Sequence, residues 1–189
     1  MRDLPREVVV MVDEAYYEFV SAKDYPQTLP WVASYPQLIV TRTFSKAYGL
    51  AGLRVGYGMS SAGVAQALEA VREPFNVNSL AQVAAVAALG DAAFLKRSQQ
   101  LVREGTRFLT RELERLRIRY VPSATNFILM ELGPRASSVA HALLRRGVIV
   151  REMSAWKLPG CIRVTLGTMP ENRRFIAALK QSLTKGGVA

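Results

Sequence analysis

A lysine, two hydroxyls and an arginine gather in Thr41-Arg42-Thr43-Phe44-Ser45-Lys46-Ala47-Tyr48-Gly49-Leu50-Ala51-Gly52-Leu53-Arg54. The run follows Leu38-Ile39-Val40, an apolar triplet between polar residues that reads as a buried strand. Lys46 therefore stands just past a strand's C-terminal end, where open α/β sheets bind their ligands. Its amine can condense with an aldehyde, and the hydroxyls of Thr43 and Ser45 can donate hydrogen bonds. The planar cation of Arg54 suits a phosphate. Alone, this stretch also reads as a solvated basic loop. As a set, these groups are what an anionic, carbonyl-bearing cofactor needs.

Upstream, Val8-Val9-Val10-Met11-Val12-Asp13-Glu14-Ala15-Tyr16 is a β-branched run ending in a carboxylate. Continuous hydrophobicity of this kind suits a strand covered on both faces, as in a parallel sheet. Asp13 then also lies at a strand's C-terminal end, 33 residues before Lys46. That distance fits one βαβ-like crossover, so both groups can face one crevice. An aspartate can hold a pyridinium nitrogen protonated while a lysine carries the aldehyde, which is the pyridoxal 5'-phosphate arrangement. Asp-x-x-Tyr, Ser-Lys and a downstream arginine are together far more specific than any one of them.

The elements that must hold these groups follow from periodicity. Strands are expected over 8–12, 37–42 and 53–59, with a proline-bearing loop or short helix over 17–36. A helix capped by Ser60 or Ser61 stops at Pro74, and Ser79-Leu80-Ala81-Gln82 reads as a capping box opening an alanine-rich helix. A long helix over 92–117 carries an apolar stripe of Leu95, Val102, Leu109, Leu113 and Leu116. Arg103, Arg107, Arg111 and Arg115 form its basic outer strip, eased by Glu104, Glu112 and Glu114. Strand material at 120–121, 126–130, 148–150 and 161–166 follows. Between these lies a helix from Ser138 with Val139, Leu143 and Leu144 inward, and a last helix opens on Thr168-Met169-Pro170-Glu171. The organisation expected is residues 1–117 as part of a large α/β domain, mostly parallel sheet with helices and ending in the long helix. Residues 118–189 then form a small α+β domain.

Composition removes other classes. At 189 residues and 50% apolar content the chain can build a substantial core. No apolar run reaches the roughly 20 residues that cross a bilayer, and Met1-Arg2-Asp3-Leu4-Pro5-Arg6-Glu7 lacks a signal peptide's apolar core. The single cysteine, Cys161, excludes an internal disulfide, fits a reducing cytoplasm, and reads as a buried inert thiol. With His141 the only histidine, no metal-ligand spacing exists. The net charge of +10 is spread along helices without a nucleic-acid-binding signature, so a solvated basic surface that attracts anionic substrates is the reading.

Val-Asp-Glu-Ala-Tyr at 12–16 and Thr-Phe-Ser-Lys-Ala-Tyr-Gly-Leu-Ala-Gly-Leu-Arg-Val-Gly-Tyr at 43–57 closely resemble the fold-type I aminotransferases. Within them the likeness is greatest to the histidinol-phosphate branch. The stretches 75–82 and 160–168 extend it almost to the C-terminus, yet the chain answers to only the last half of the family's length. The resemblance implies pyridoxal 5'-phosphate as cofactor, Lys46 as its attachment point and proton carrier, and Asp13 as partner of the ring nitrogen. Tyr16 falls to the ring's phenolic oxygen, and Ser45, Arg54 and more weakly Thr43 to the phosphate. Arg163 would take the substrate's carboxylate and Arg151 the substrate's phosphate, although Glu152 departs from the proline often found there. Small amino and keto acid substrates and a cytoplasmic homodimer are implied too. A catalytically incomplete, oligomerising remnant and an aromatic amino-acid aminotransferase of the same branch are the competing readings.

Overall fold

Apolar runs become the strands of two separate sheets in the computed structural model, which describes residues 4, 5 and 7–184. Most of the polar opening stretch, Met1 to Asp3 and Arg6, lies outside the described residues. The chain divides into two units, Met1–Lys96 and Arg97–Ala189.

In the first unit, β1 (Val10–Asp13) runs parallel to β2 (Leu38–Thr43), and β3 (Gly56–Met59) runs antiparallel to β2. The expectation of a mostly parallel sheet thus holds for one of these two pairings. No α-helix intervenes between β2 and β3 to carry a crossover, so the chain folds straight back. The link between β1 and β2 holds only two 3-10 turns, Tyr17–Phe19 and Leu29–Ala33, the second with a proline in its first turn. Leu38 and Val40 are fully buried, and alternation sends Ile39 and Thr41 to the other face. At Gly56 a Cβ would stand 2.8 Å from the carbonyl oxygen of Arg42, so the two strands approach only because that residue is glycine.

Ser61 caps α1 (Ala62–Val71), its hydroxyl accepting from the Val64 amide. The cap of α2 (Ser79–Gly90) is Asn78 rather than Ser79: the side-chain Oδ1 of Asn78 accepts from the Ala81 amide at 2.8 Å, and the Gln82 side chain donates instead to the Val77 carbonyl. Asparagine is at least as good an N-cap as serine and stands one residue closer to the strand-like approach of the chain. Only Ala81 and Ala85 of α2 are buried, while Leu80, Val83, Val86 and Leu89 face solvent, so the helix packs on one side alone. Phe75, just before it, is 96% exposed.

The second unit takes most of α3 (Ala92–Arg115), which the sequence assigns to the first. The reason is packing: a Cβ at Gly105 would meet Asn172 at 3.0 Å and Leu166 at 3.4 Å, both residues of this unit. An antiparallel sheet follows in the order β4-β5-β7-β6, with β4 Arg119–Val121, β5 Phe127–Glu131, β6 Arg151–Glu152 and β7 Cys161–Thr165. Ile128, Met130, Ile162 and Val164 line its buried face with α4 (Ala136–Leu144) and α5 (Met169–Thr184). Helix α5 contributes Phe175, Ile176 and Leu179, and Glu171 accepts from the Thr168 amide at 2.7 Å at its start. Three expectations fail here. Val148-Ile149-Val150 is not a strand, because the Val148 amide still bonds the Leu143 carbonyl while closing α4. Leu144 is exposed, and Cys161 is half-buried on the sheet's open face rather than enclosed.

Glu112 is the largest departure from the amphipathic reading of α3. It is buried, on the stripe that holds Val102, Gly105, Leu109 and Leu113. One carboxylate oxygen accepts from Lys180 of α5 at 3.0 Å and the other from Arg115 at 2.6 Å. The hydrogen bond from Lys180, aided by that from Arg115 against the opposing effect of burial, holds the carboxyl below its ordinary value. A depressed carboxylate stabilises the fold at pH above the ordinary value of 4.5, and that stability is lost as pH falls through the lower folded value. Glu112→Gln is therefore expected to lower the urea midpoint at neutral pH. The difference from wild type should shrink between neutral pH and an acid pH below the lowered folded value, where both side chains are neutral. A gap of the same size at both pH values would contradict the ion-pair account. Among the described residues no single helix is long and apolar enough to cross a membrane.

Candidate active site

Parallel pairing puts Asp13 directly opposite Thr41, so β1 and β2 deliver their C-terminal ends to the same edge. Asp13 is exposed there, one carboxylate oxygen accepting from the Ala15 amide at 3.0 Å in a tight turn. Beyond that turn the ring of Tyr16 comes to lie with its centroid 5.4 Å from the Lys46 ammonium. Thr43 ends β2, and its hydroxyl oxygen accepts from the Ser45 amide at 3.0 Å. That bond turns the chain out of the strand and presents Ser45 and Lys46 at its end. The Gly49 amide closes on the Lys46 carbonyl, and the Leu50 amide on that of Phe44. Lys46 itself is exposed.

Arg54 follows the 3-10 turn Ala51–Leu53 with a left-handed φ of 56°. A non-glycine residue held there costs ~1–3 kcal/mol and marks a position whose side-chain direction matters. Its guanidinium donates to the Ala51 carbonyl at 2.6 Å and is otherwise exposed, and Asn78 fixes the same turn by donating to the Leu53 carbonyl. Tyr48 and Tyr57 flank the buried ring of Phe44 at 5.1 and 5.5 Å, in keeping with packing. A hollow of ≈ 660 Å³ lined by Arg72, Phe75 and Gln82 contains none of these residues. With Asp13, Lys46 and Arg54 all exposed, the groups stand on an open sheet edge.

In the second unit, Arg163 of β7 and Arg151 of β6 are register partners across an antiparallel pair. Directly opposed side chains share a face, and like charges so placed repel. Arg163 lies over the Phe127 ring at 4.8 Å and Arg151 over the Trp156 ring at 5.0 Å, and among the described residues neither has a carboxylate partner. The apolar neighbours Ile162 and Val164 point to the opposite, buried face, so Arg163 is half-buried rather than enclosed among them. Two cations at paired register positions without a carboxylate partner could receive an anion.

Sequence reasoning overlooks the buried partnership beneath the first sheet edge. Glu14 is fully enclosed and receives both Nε and Nη2 of Arg42 at 2.9 Å, and the Thr28 hydroxyl at 2.6 Å. Burial is the largest single effect and works against the charge on Arg42, but hydrogen bonding to Glu14, the charge of that carboxylate and Tyr57 together outweigh it and hold the guanidinium's pKa above its ordinary value. The signal lay in the period of two: Arg42 continues the face of Leu38 and Val40, where a charge demands a partner. Among the described residues no cluster of three or more metal-ligating side chains occurs.

The fold and this edge define a class. The family model of class I and II aminotransferases matches residues 2–179, and the chain belongs to that family. Its similarity is to particular members: it is 48% identical to histidinol-phosphate aminotransferase 2 of Pseudomonas fluorescens over 98% of this chain and 50% of that protein. It is 47% identical to the histidinol-phosphate aminotransferase of Brevibacillus brevis over 97% of this chain and 50% of the other. The crystal structure of histidinol-phosphate aminotransferase from Sinorhizobium meliloti in complex with pyridoxal-5'-phosphate superposes with a TM-score of 0.90 at 32% identity. It covers 98% of this chain and 52% of that one. The chain spans about half the length of the curated relatives it matches.

Proposed function

We propose that this chain carries the lysine-bearing part of an aminotransferase of the histidinol-phosphate type, which exchanges an amino group between histidinol phosphate and 2-oxoglutarate. The observation that carries the reading is the shared edge: Asp13 and Lys46 leave adjacent parallel strands at the same end, with Tyr16 beside the lysine. The donor set fits pyridoxal 5'-phosphate: a carboxylate for the ring nitrogen, an amine for the aldehyde, a phenol for the phenolic oxygen, and Ser45 with Arg54 for the phosphate. When bound, the cofactor supplies an electron sink for negative charge developing at the substrate's α-carbon.

Asp13 would pair with the ring nitrogen and favour its protonated form. Tyr16 would orient the ring by donating to its phenolic oxygen. Lys46 would hold the aldehyde carbon until the substrate's amine displaces it; the freed amine would then take the proton from the substrate's α-carbon and return it to the former aldehyde carbon, across the intervening nitrogen. Arg54 and Ser45 anchor the phosphate, and Thr43 shapes the loop that presents them. Arg163 receives the carboxylate of glutamate through its two-donor fork, and Arg151 adds the charge for a substrate phosphate. Small amino and keto acids are the substrates, and a cytoplasmic homodimer is the working form, a reading supported by the lone cysteine and the exposed apolar side chains of α2.

Those same side chains favour a second reading, an associating module that is catalytically incomplete alone. Added pyridoxal 5'-phosphate should produce visible absorbance, and borohydride should fix it to Lys46. Label on another lysine, or on none, overturns the site. Amino transfer by the purified 189-residue chain alone would remove the second reading.

A further inference from the structure

Glu14 and Arg42 take no part in the chemistry above, yet each is the chain neighbour of a residue that does. Glu14 follows Asp13, and Arg42 precedes Thr43, from which the Ser45–Lys46 loop is hung. One oxygen of the Glu14 carboxylate takes two donors from Arg42 at 2.9 Å. The other takes the Thr28 hydroxyl at 2.6 Å, with the Tyr25 hydroxyl at 3.5 Å. The Arg42 guanidinium also lies 3.5 Å from the centroid of the Tyr17 ring. A single buried carboxylate thus ties the exit of β1, the crossover and β2 together, while the Glu14 amide makes the last ladder bond, to the Thr41 carbonyl at 2.8 Å.

Exchanging a buried ion pair for apolar residues of similar volume is often neutral for stability, so such a pair is weak evidence for a stabilising role. What it supplies is geometry: the fork accepts only one relative placement of the two strand ends. We infer that Glu14 and Arg42 are positioning residues that lock the strand end bearing Asp13 against the loop bearing Ser45 and Lys46. This inference rests on the reading of Asp13 and Lys46 as the cofactor-holding groups. Catalytic constellations need their supporting shell to hold them within about 0.5 Å. Here that shell is on the face opposite Asp13 and Thr41.

The test is the double variant Glu14→Leu with Arg42→Met in the full chain, which removes both charges and leaves none orphaned. Its thermal midpoint should stay near wild type. Exchange of the amides at position 14 and Ser45 should quicken at least about tenfold, with the amides of Ile39 and Met59 unmoved. Affinity for pyridoxal 5'-phosphate should fall about tenfold and its bound absorbance band should shift. Arg42→Lys, which keeps the charge but not the fork, should give smaller changes of the same sign, and it decides the matter if the double variant does not fold. Unchanged exchange at both amides together with an unchanged absorbance band would overturn the inference and leave the pair a packing feature. Should the wild-type chain take up no cofactor at Lys46, the functional reading fails, and amide exchange alone still decides whether the clamp exists.

Discussion

Lys46→Ala should remove borohydride-fixed label entirely and slow amino transfer by at least ~10²–10⁴-fold, the contribution of a positioned acid–base group. The loss of the aldehyde-holding amine comes on top of that. On the proposed function, the assay is kcat/KM for glutamate and for histidinol phosphate in whichever form of the protein shows amino transfer. Misfolding does not confound the result, because Lys46 is exposed and makes none of the buried contacts that hold the unit together. Exposed substitutions of this sort usually change stability by no more than ~0.5 kcal/mol. Asp13, Tyr16, Ser45 and Arg54 all remain, so affinity for pyridoxal 5'-phosphate should fall far less than the rate. A variant that keeps a tenth of the wild-type rate would show that another amine does the work.

The lysine edge was readable because it depends on local rules alone. Two apolar runs end in functional groups, and their spacing allows one crossover, so periodicity and length suffice. The fold class and most element positions followed in the same way. What failed depends on partners far apart in sequence. Glu112 looked like surface charge on α3 because its main partner, Lys180, lies 68 residues away on another helix. Glu14 and Arg42 are 28 apart and meet only through the parallel register. The division between units moved to the start of α3 because burial at Gly105 is decided by Leu166 and Asn172. Val148-Ile149-Val150 has strand composition, but the closing bonds of α4 extend into it and leave Ile149 84% exposed. The roles of Asp13, Tyr16, Thr43, Ser45, Lys46, Arg54, Arg151 and Arg163 are proposals that chemistry supports.

Arg163→Lys isolates the geometry of anion capture from its charge. Arg163 is half-buried on the open face of the second sheet, stacked on Phe127 and directly across from Arg151. Lysine can follow the same path along that face and keep the positive charge, so the field at the site changes little. What disappears is the rigid two-donor fork, and a bidentate carboxylate contact becomes a point contact. The cost should be ~1.5–3 kcal/mol, the scale of one hydrogen bond to a charged group, or about ten- to a hundred-fold in kcat/KM for glutamate. Histidinol phosphate should suffer less, because lysine serves a phosphate well as a point charge and Arg151 stays beside it. Cofactor affinity should hold, since every residue assigned to the cofactor belongs to the first unit and Arg163 to the second. Parallel titrations with glutamate, histidinol phosphate and pyridoxal 5'-phosphate separate the three. If cofactor affinity collapses while glutamate capture is intact, Arg163 belongs to the cofactor's site and not to the substrate's.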